Sequence, residues 1–285
     1  MPKVKVITDS TADLPLEVVK RYGIIVLPMV TSFSGIDYRD GVDLKPPKFY
    51  KLLADCSELP HTSQHSPQFL AKAYQHALAD GSEVIALHLS SGLSGTVQNA
   101  RLAQEMVNGK TRLAILDSLS ASMGQGLLAI RAAELAENGC SLQEIVPEVE
   151  MMRRKLCSIF MVDTLKYLLK GGRINKVQAT VGSLLDIKPV LHINPEGKID
   201  QLDKVRGRRA ALRRLISLIE EQGTDLAGQT VGISHALCQL DAERVRDTIM
   251  ERFGAKKVII GEIGAVIGTH VGQGTLAIFF QGKPK

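Results

Sequence analysis

The chain of 285 residues has no tryptophan, and aromatic side chains make up only 4% of it. Surfaces that stack single-stranded bases need aromatic rings beside their cations, so this scarcity argues against nucleic acid as a partner. Cysteine is also sparse. Cys56, Cys140, Cys157 and Cys238 lie far apart and form no CxxC or other ligand spacing, so they read as reduced, buried thiols, and neither a metal site nor a disulfide is expected. No stretch reaches the roughly 18 uncharged apolar residues that a membrane span needs. The apolar run at the start is too short for a secretory signal and is interrupted at Asp9, so the expected location is the cytoplasm. A Gly-x-x-x-x-Gly-Lys phosphate loop is missing, and Asp9 and Asp13 are spaced four apart, not as the Asp-x-Asp of aspartate-nucleophile phosphatases. The sequence offers no machinery for phosphoryl transfer or redox chemistry, and no cofactor is expected.

Hydrophobic residues make up 45% and charged residues 23% of the chain, ordinary values for a globular protein, and the length suggests two domains. The net charge of +5 hides an asymmetry. Residues 151–214 carry 15 Lys and Arg against 5 Asp and Glu, giving +10, so the remainder of the chain stands at −5. A basic segment on a mildly acidic body reads as an interaction face.

In the first half, apolar runs at 4–8, 24–30, 84–89 and 112–116 read as strands, with helices at about 15–22, 69–80, 97–106, 121–138 and 141–155. Pro46-Pro47 opens a further short helix, residues 35–43 read as a hairpin, and 61–67 as a polar turn. Strands alternating with helices indicate βαβ units and a parallel sheet with right-handed crossovers. Beyond residue 155 the character changes. Expected strands at 159–162, 190–193, 229–234, 258–262 and 275–280 join helices at about 207–222 and 241–253, and Asn194-Pro195-Glu196-Gly197-Lys198 reads as the turn of a hairpin. The expected fold is α/β in two lobes: an N-terminal parallel-sheet lobe, residues 1–155, and a C-terminal mixed-sheet lobe, residues 156–285, with a ligand cleft between them.

Several strands of the first lobe end in short hydroxyl-rich turns: Asp9-Ser10-Thr11, Ser90-Ser91 and Asp117-Ser118. In open α/β sheets ligands bind at that edge. The richest of these turns is Ser90-Ser91-Gly92-Leu93-Ser94-Gly95-Thr96, between the strand at 84–89 and the helix that follows. Hydroxyls and free N–H groups at a helix start suit an anion. Helix capping would account for one or two of these residues, but not for the whole set. The turn lacks the second Gly of a Gly-x-Ser-x-Gly elbow, and although a Ser-His hydrolase built on Ser94 and His270 is conceivable, no acid partner can be placed. Gly124-Gln125-Gly126 falls several residues after a strand, which fits helix packing better than a dinucleotide site. His270 is flanked by small residues, Gly268-Thr269 and Val271-Gly272-Gln273-Gly274, which would let a ligand approach closely.

These motifs together carry a resemblance. Ile7 through Pro15, Thr62-Ser63-Gln64, Leu89 through Thr96, Asp117-Ser118, Gly171-Gly172-Arg173-Ile174, Lys188-Pro189 and Gly268-Thr269-His270 closely resemble the DegV family, bacterial fatty-acid-binding proteins that serve as the binding subunit of fatty acid kinase. The resemblance runs the length of the chain. It implies a long-chain fatty acid held between the lobes, with its carboxylate at Thr62, Ser94 and His270 and near the backbone of Gly95. It further implies that Arg173 and Arg206 face the kinase, that the chain is no enzyme by itself, and that the acyl phosphate passes to an acyltransferase in phospholipid synthesis. His65 and Gln273 stand where the family usually has proline, which bears on loop shape. The alternative is a Ser/His-dependent small-molecule kinase or hydrolase, and the two-lobe pattern is also similar to the substrate-binding half of dihydroxyacetone kinase.

Overall fold

The computed structural model describes residues 3–174 and 186–283. The first lobe begins with β1 (Val4–Asp9), a single 3₁₀ turn at Ser10–Ala12, α1 (Leu16–Tyr22) and β2 (Ile25–Leu27). Pro28 lacks an N–H to continue a ladder, and the chain leaves the sheet there. It forms β3 (Val30–Phe33) and β4 (Ile36–Arg39), then α2 (Pro46–Asp55) and β5 (His61–Ser63), and β3, β4 and β5 make a small antiparallel sheet of their own. The expected single strand over 24–30 is therefore two strands in two sheets, and the polar turn over 61–67 contains an edge strand. The lobe continues through α3 (Pro67–Leu78), β6 (Glu83–His88), α4 (Thr96–Glu105), β7 (Leu113–Asp117), α5 (Met123–Glu137) and α6 (Leu142–Lys155).

The main sheet of this lobe runs β2-β1-β6-β7, all parallel. Its strands alternate sides with a period of two. Ile7, Val84 and Ala86 pack under α3 and α4 with Leu70, Tyr74 and Ala100, while Val6, Ile85 and Leu87 face Leu128 and Ile130 of α5. Because both faces are covered, the strands read as continuous apolar runs. This is why the sequence pattern located them.

The second lobe comprises β8 (Leu156–Met161), α7 (Lys166–Gly171), β9 (Ile187–Ile193), β10 (Ile199–Arg206), α8 (Arg208–Gln222), β11 (Thr230–His235), α9 (Gln239–Phe253), β12 (Lys257–Glu262), α10 (Ala265–Val271) and β13 (Leu276–Gln281). Its six-stranded sheet runs β10-β9-β8-β13-β11-β12, antiparallel except for β11 with β12. The α/β architecture with a parallel and a mixed sheet matches the expectation. The expected hairpin turn at 194–198 joins β9 to β10, a charged and bulged edge strand. One element differs from the expectation: the glycine-rich stretch around His270 is the helix α10.

Helices α8 and α9 cover one face of this sheet through Leu215, Ile219, Val245 and Ile249. The other face turns to the first lobe. One apolar cluster runs from Val6 and Ile85 through α5 to Phe160, Leu191 and Phe279 of the second sheet. Gly124 is what lets α5 come so close, since a Cβ there would lie 2.7 Å from the Phe279 ring. The glycine pair thus serves packing.

Candidate functional site

Between the lobes lies a cavity of about 320 Å³, within the range of small-molecule sites. Most of its wall is apolar: Met29, Leu89 and Leu93 from the first lobe, and Phe160, Leu168, Ile193, Ile199, Ile263, Val266, Ile267, Val271 and Phe279 from the second. Its polar lining includes Thr62, Gln64, Ser94, Arg173 and His270. Thr62 comes from β5, Ser94 from the turn before α4, Arg173 from just after α7 and His270 from α10. Four segments distant in sequence thus bring polar groups to one apolar chamber.

The Thr62 hydroxyl and His270 Nε2 are 3.0 Å apart. Burial, and secondarily the positive Arg173 nearby, pulls the His270 pKa down to about 4, so the ring is neutral at neutral pH. With its proton on Nε2 it donates to Thr62 Oγ1 and leaves the Thr62 hydroxyl proton free for a ligand oxygen. His270 Nδ1 is buried without a partner among the described residues. The ring lies against Gly171, where a Cβ would come within 2.3 Å of Nδ1. Ser94 Oγ lies 2.9 Å from Thr96 Oγ1 and accepts from the Thr96 N–H at 3.3 Å.

Arg173 donates from Nε to the Leu93 carbonyl at 3.1 Å and from Nη1 to that of Gly171. Burial lowers the pKa of its guanidinium, and it has no ion-pair partner among the described residues. A half-buried cation satisfied only by carbonyls, next to hydroxyls and a neutral imidazole, is a place for a carboxylate.

The other residues of the serine-rich turn divide their work. Ser90 is fully buried and donates to the Gly197 carbonyl of the β9–β10 turn at 2.7 Å, tying the lobes together, and Ser91 N–H is held by Asp117 Oδ1. Only Leu93 and Ser94 of this turn reach the cavity. Gly95 is the N-cap of α4 and abuts the Gln64 side chain. Arg206 is exposed on the edge strand β10 and does not line the cavity. The Ser94–His270 pair that a hydrolase would need makes no hydrogen bond, because each side chain is engaged elsewhere.

Sequence reasoning did not single out Gln64 or Ser122 as cavity residues. Ser122 sits in the chamber wall with φ of 53°, unusual for a non-glycine residue. Its hydroxyl donates to Asp13 Oδ2, and Ser234 Oγ lies 2.8 Å away on its acceptor side. The strained backbone is the cue, and a sequence does not display it.

Fold and cavity together define a two-lobed α/β protein with an apolar chamber carrying a hydroxyl, imidazole and guanidinium cluster. The family described as "Uncharacterised protein, DegV family" matches residues 3–283, and the chain belongs to it. It is similar to a DegV domain-containing protein of Caldanaerobacter subterraneus subsp. tengcongensis, 35% identical over 99% of this chain and 100% of that one. Among solved structures it is similar to a DegV family protein from Thermus thermophilus described for its fatty acid binding. That match has 33% identity, 98% and 99% coverage of the two chains and a TM-score of 0.89. Bacillus subtilis DegV, described as a fatty acid binding protein, matches at 34% identity, 99% and 100% coverage and a TM-score of 0.87.

Proposed function

We propose that this protein binds a long-chain fatty acid in the chamber between a lobe at 1–155 and a lobe at 156–285. The carboxylate is held by Ser94, Thr62 and neutral His270, close to the N-cap at Gly95, with Arg173 supplying the opposing charge. The observation that carries this reading is the chamber itself, apolar along most of its wall with its hydroxyls, imidazole and guanidinium gathered together. The fatty acid binding described for the Thermus and Bacillus relatives supports it.

The energetics fit a carrier. A sixteen-carbon tail buries about 15 methylene-sized groups at ~0.8 kcal/mol each, a gross gain on the order of 12 kcal/mol before association costs. Each head-group hydrogen bond nets only ~0.5–1.5 kcal/mol, or about 3 when charged. The tail supplies affinity and the polar cluster supplies orientation. A carboxylate so oriented can be offered to a fatty acid kinase docked over Arg206 and the mouth near Arg173, and the acyl phosphate passed on to an acyltransferase in phospholipid synthesis.

Native mass spectrometry of the purified protein tests the first step. The expected result is an added mass equal to one fatty acid, lost on denaturation. Protein that carries no such mass, and that gains no thermal stability when long-chain fatty acids are added, overturns the reading. For the second step, Arg206→Ala is expected to leave that occupancy unchanged while lowering acyl-phosphate formation with the kinase; equal occupancy with undiminished product removes Arg206 from the docking face.

A further inference from the structure

A separate cavity of about 600 Å³ opens where the carboxyl ends of β1, β11 and β12 meet α1 and the start of α2, and it shares no wall residue with the apolar chamber. The motif from Asp9 to Pro15 lines it and contributes nothing to the chamber wall. Aliphatic side chains, among them Leu16, Val19, Val42 and Ile260, form one part of its wall and carboxylates another. Asp9 is already paired with His88 at 2.9 Å. Asp13, Asp40 and Glu262 form no ion pair among the described residues, and exposed Lys45 is the one Lys or Arg on the wall. Asp40 is 3% exposed, and its Oδ2 has no hydrogen-bond partner among the described residues. His235 on the same wall, also 3% exposed, leaves Nδ1 without one. The position that a Cβ of Gly264 would take is 2.9 Å from Asp40 Oδ1, 3.1 Å from Asp40 Oδ2 and 3.1 Å from Asp13 Oδ1. Three carboxylate oxygens thus converge over a bare Cα at the cavity wall.

We propose that this cavity binds a primary alkylammonium ion, its head held by Asp13 and Asp40 and its chain laid along the aliphatic wall. The site stands apart from the fatty acid reading. Helix capping explains part of the arrangement. Asp13 Oδ1 accepts from the Gly264 N–H and Asp40 Oδ1 from the Ala265 N–H, each at 2.8 Å, and the Ser122 hydroxyl serves Asp13 Oδ2. Asp40 Oδ2 is left over. Two neighbouring carboxylates repel each other, and burial without a cation costs both their hydration. Burial pushes both carboxyl pKa values upward, and the nearby Asp40 charge adds to the effect at Asp13. A cation beside them lets both ionise. Lys45, exposed and paired with neither acid, does not supply that charge. A metal ion suits the donors less well, because no group of three or more His, Cys, Asp or Glu among the described residues is placed to hold one. An ammonium needs only acceptors, which the carboxylates and the neutral face of His235 offer, and its alkyl chain gains from the aliphatic wall.

The test titrates n-pentylammonium chloride, and 1-pentanol as its neutral counterpart, into the full-length protein by calorimetry at low salt. The amine is expected to bind about tenfold tighter than the alcohol, the value of one charge-assisted contact. Asp40→Asn keeps an oxygen to cap Ala265 and removes the charge, so it should weaken the amine about tenfold and hold the alcohol within about twofold. Leu16 is 65% exposed, so Leu16→Lys leaves the fold intact and, by setting a cation at the rim, should also weaken the amine. Palmitate should not displace the amine, and potassium chloride at equal ionic strength should compete poorly. A wild-type protein that does not bind the amine, or binds it no better than the alcohol, overturns the site. So does an unchanged amine affinity in Asp40→Asn, or in Leu16→Lys where the first variant does not fold. Displacement by palmitate would put the amine in the chamber, and competition by potassium as strong as by a second alkylammonium would make this an inorganic cation site; either result overturns the proposal.

Discussion

At the scale of single residues the site turns on His270. Its pKa of about 4, against 6.5 for the free side chain, means the unfolded chain binds a proton that the folded one refuses. The stability tied to this histidine is therefore complete above pH 6.5 and is lost as pH falls from there toward 4, by on the order of 3 kcal/mol. A carboxylate placed beside the ring favours the charged form. Loading the protein with fatty acid should therefore move the His270 titration upward, read from its imidazole NMR signals across pH 4–7; a titration unmoved by ligand would place the head group elsewhere. Two glycines sharpen the point. At Gly95 an added methyl meets the far end of Gln64, a flexible side chain that can swing aside, and φ there is an ordinary −76°. At Gly171 the same methyl meets the His270 ring 2.3 Å away, and the ring moves only by breaking its bond to Thr62. Gly171→Ala is therefore expected to weaken fatty acid binding by up to about tenfold, the value of one head-group contact, with Gly95→Ala close to wild type. Equal affinities in the two variants would dissociate His270 from the head group.

At the scale of elements the decisive piece is α10, which carries His270, Val266, Ile267 and Val271 into the cavity wall. It spans only seven residues, too short to stand by itself, and the first lobe fixes its start. Asp13 Oδ1 accepts from the Gly264 N–H at 2.8 Å, Asp40 Oδ1 from the Ala265 N–H at 2.8 Å, and the Tyr50 hydroxyl donates to the Ile263 carbonyl at 3.0 Å. Burial pushes the carboxyl pKa values of Asp13 and Asp40 upward, more than their hydrogen bonds pull them down. The folded state therefore holds protons that the unfolded chain releases above its ordinary pKa of 3.8. Stability from these groups is complete below that value and declines as pH rises through their folded pKa values. Asp40→Asn is expected to flatten that decline in urea titrations at pH 4.5 and 7, whereas Asp40→Ala removes the acceptor and costs about 1–3 kcal/mol at both. A variant with an unchanged pH slope would show that Asp40 does not carry the decline.

The same element marks the limit of what the sequence displays. Strands buried on both faces were legible as apolar runs, and Thr62, Ser94 and His270 were legible as motifs that converge on one cavity. The helical state of residues 265–271 was not. Two glycines flank a third, Gly268, where an added Cβ would lie 2.4 Å from the Phe49 ring, so the conformation depends on an α2 side chain more than two hundred positions away. Arg173 was legible as a cation, but its place inside the cavity mouth comes from the fold of α7 against α10. The turn at 194–198 announced the hairpin that β10 closes, but not how far it runs, because only the ladder with β9 carries the charged residues up to Arg206 into a strand.

At the scale of the molecule the two sheets share one interior. The cluster that joins Val6 and Ile85 to Phe160 and Phe279 runs through α5, and eleven of its fifteen residues are buried. Ser90 is bonded to Gly197 across the lobes, and Gly92 lies so close to that turn that a Cβ would meet the Gly197 carbonyl oxygen at 2.6 Å. Neither lobe keeps a complete core without the other, so separate unfolding would expose the shared cluster to water at about 25 cal/mol per Å² of apolar surface. The expected calorimetric trace is a single transition with equal calorimetric and van't Hoff enthalpies. Ligand that binds only the assembled chamber then raises that one transition as a whole, by RT ln(1 + [L]/Kd), about 2.7 kcal/mol at a hundredfold excess over Kd. Gly92→Ala, which forces backbone against backbone at the lobe junction, should lower the transition and reduce fatty acid retention together. A trace that splits into two transitions, with ligand raising only one of them, would mean that the lobes fold independently and that the chamber belongs to one of them.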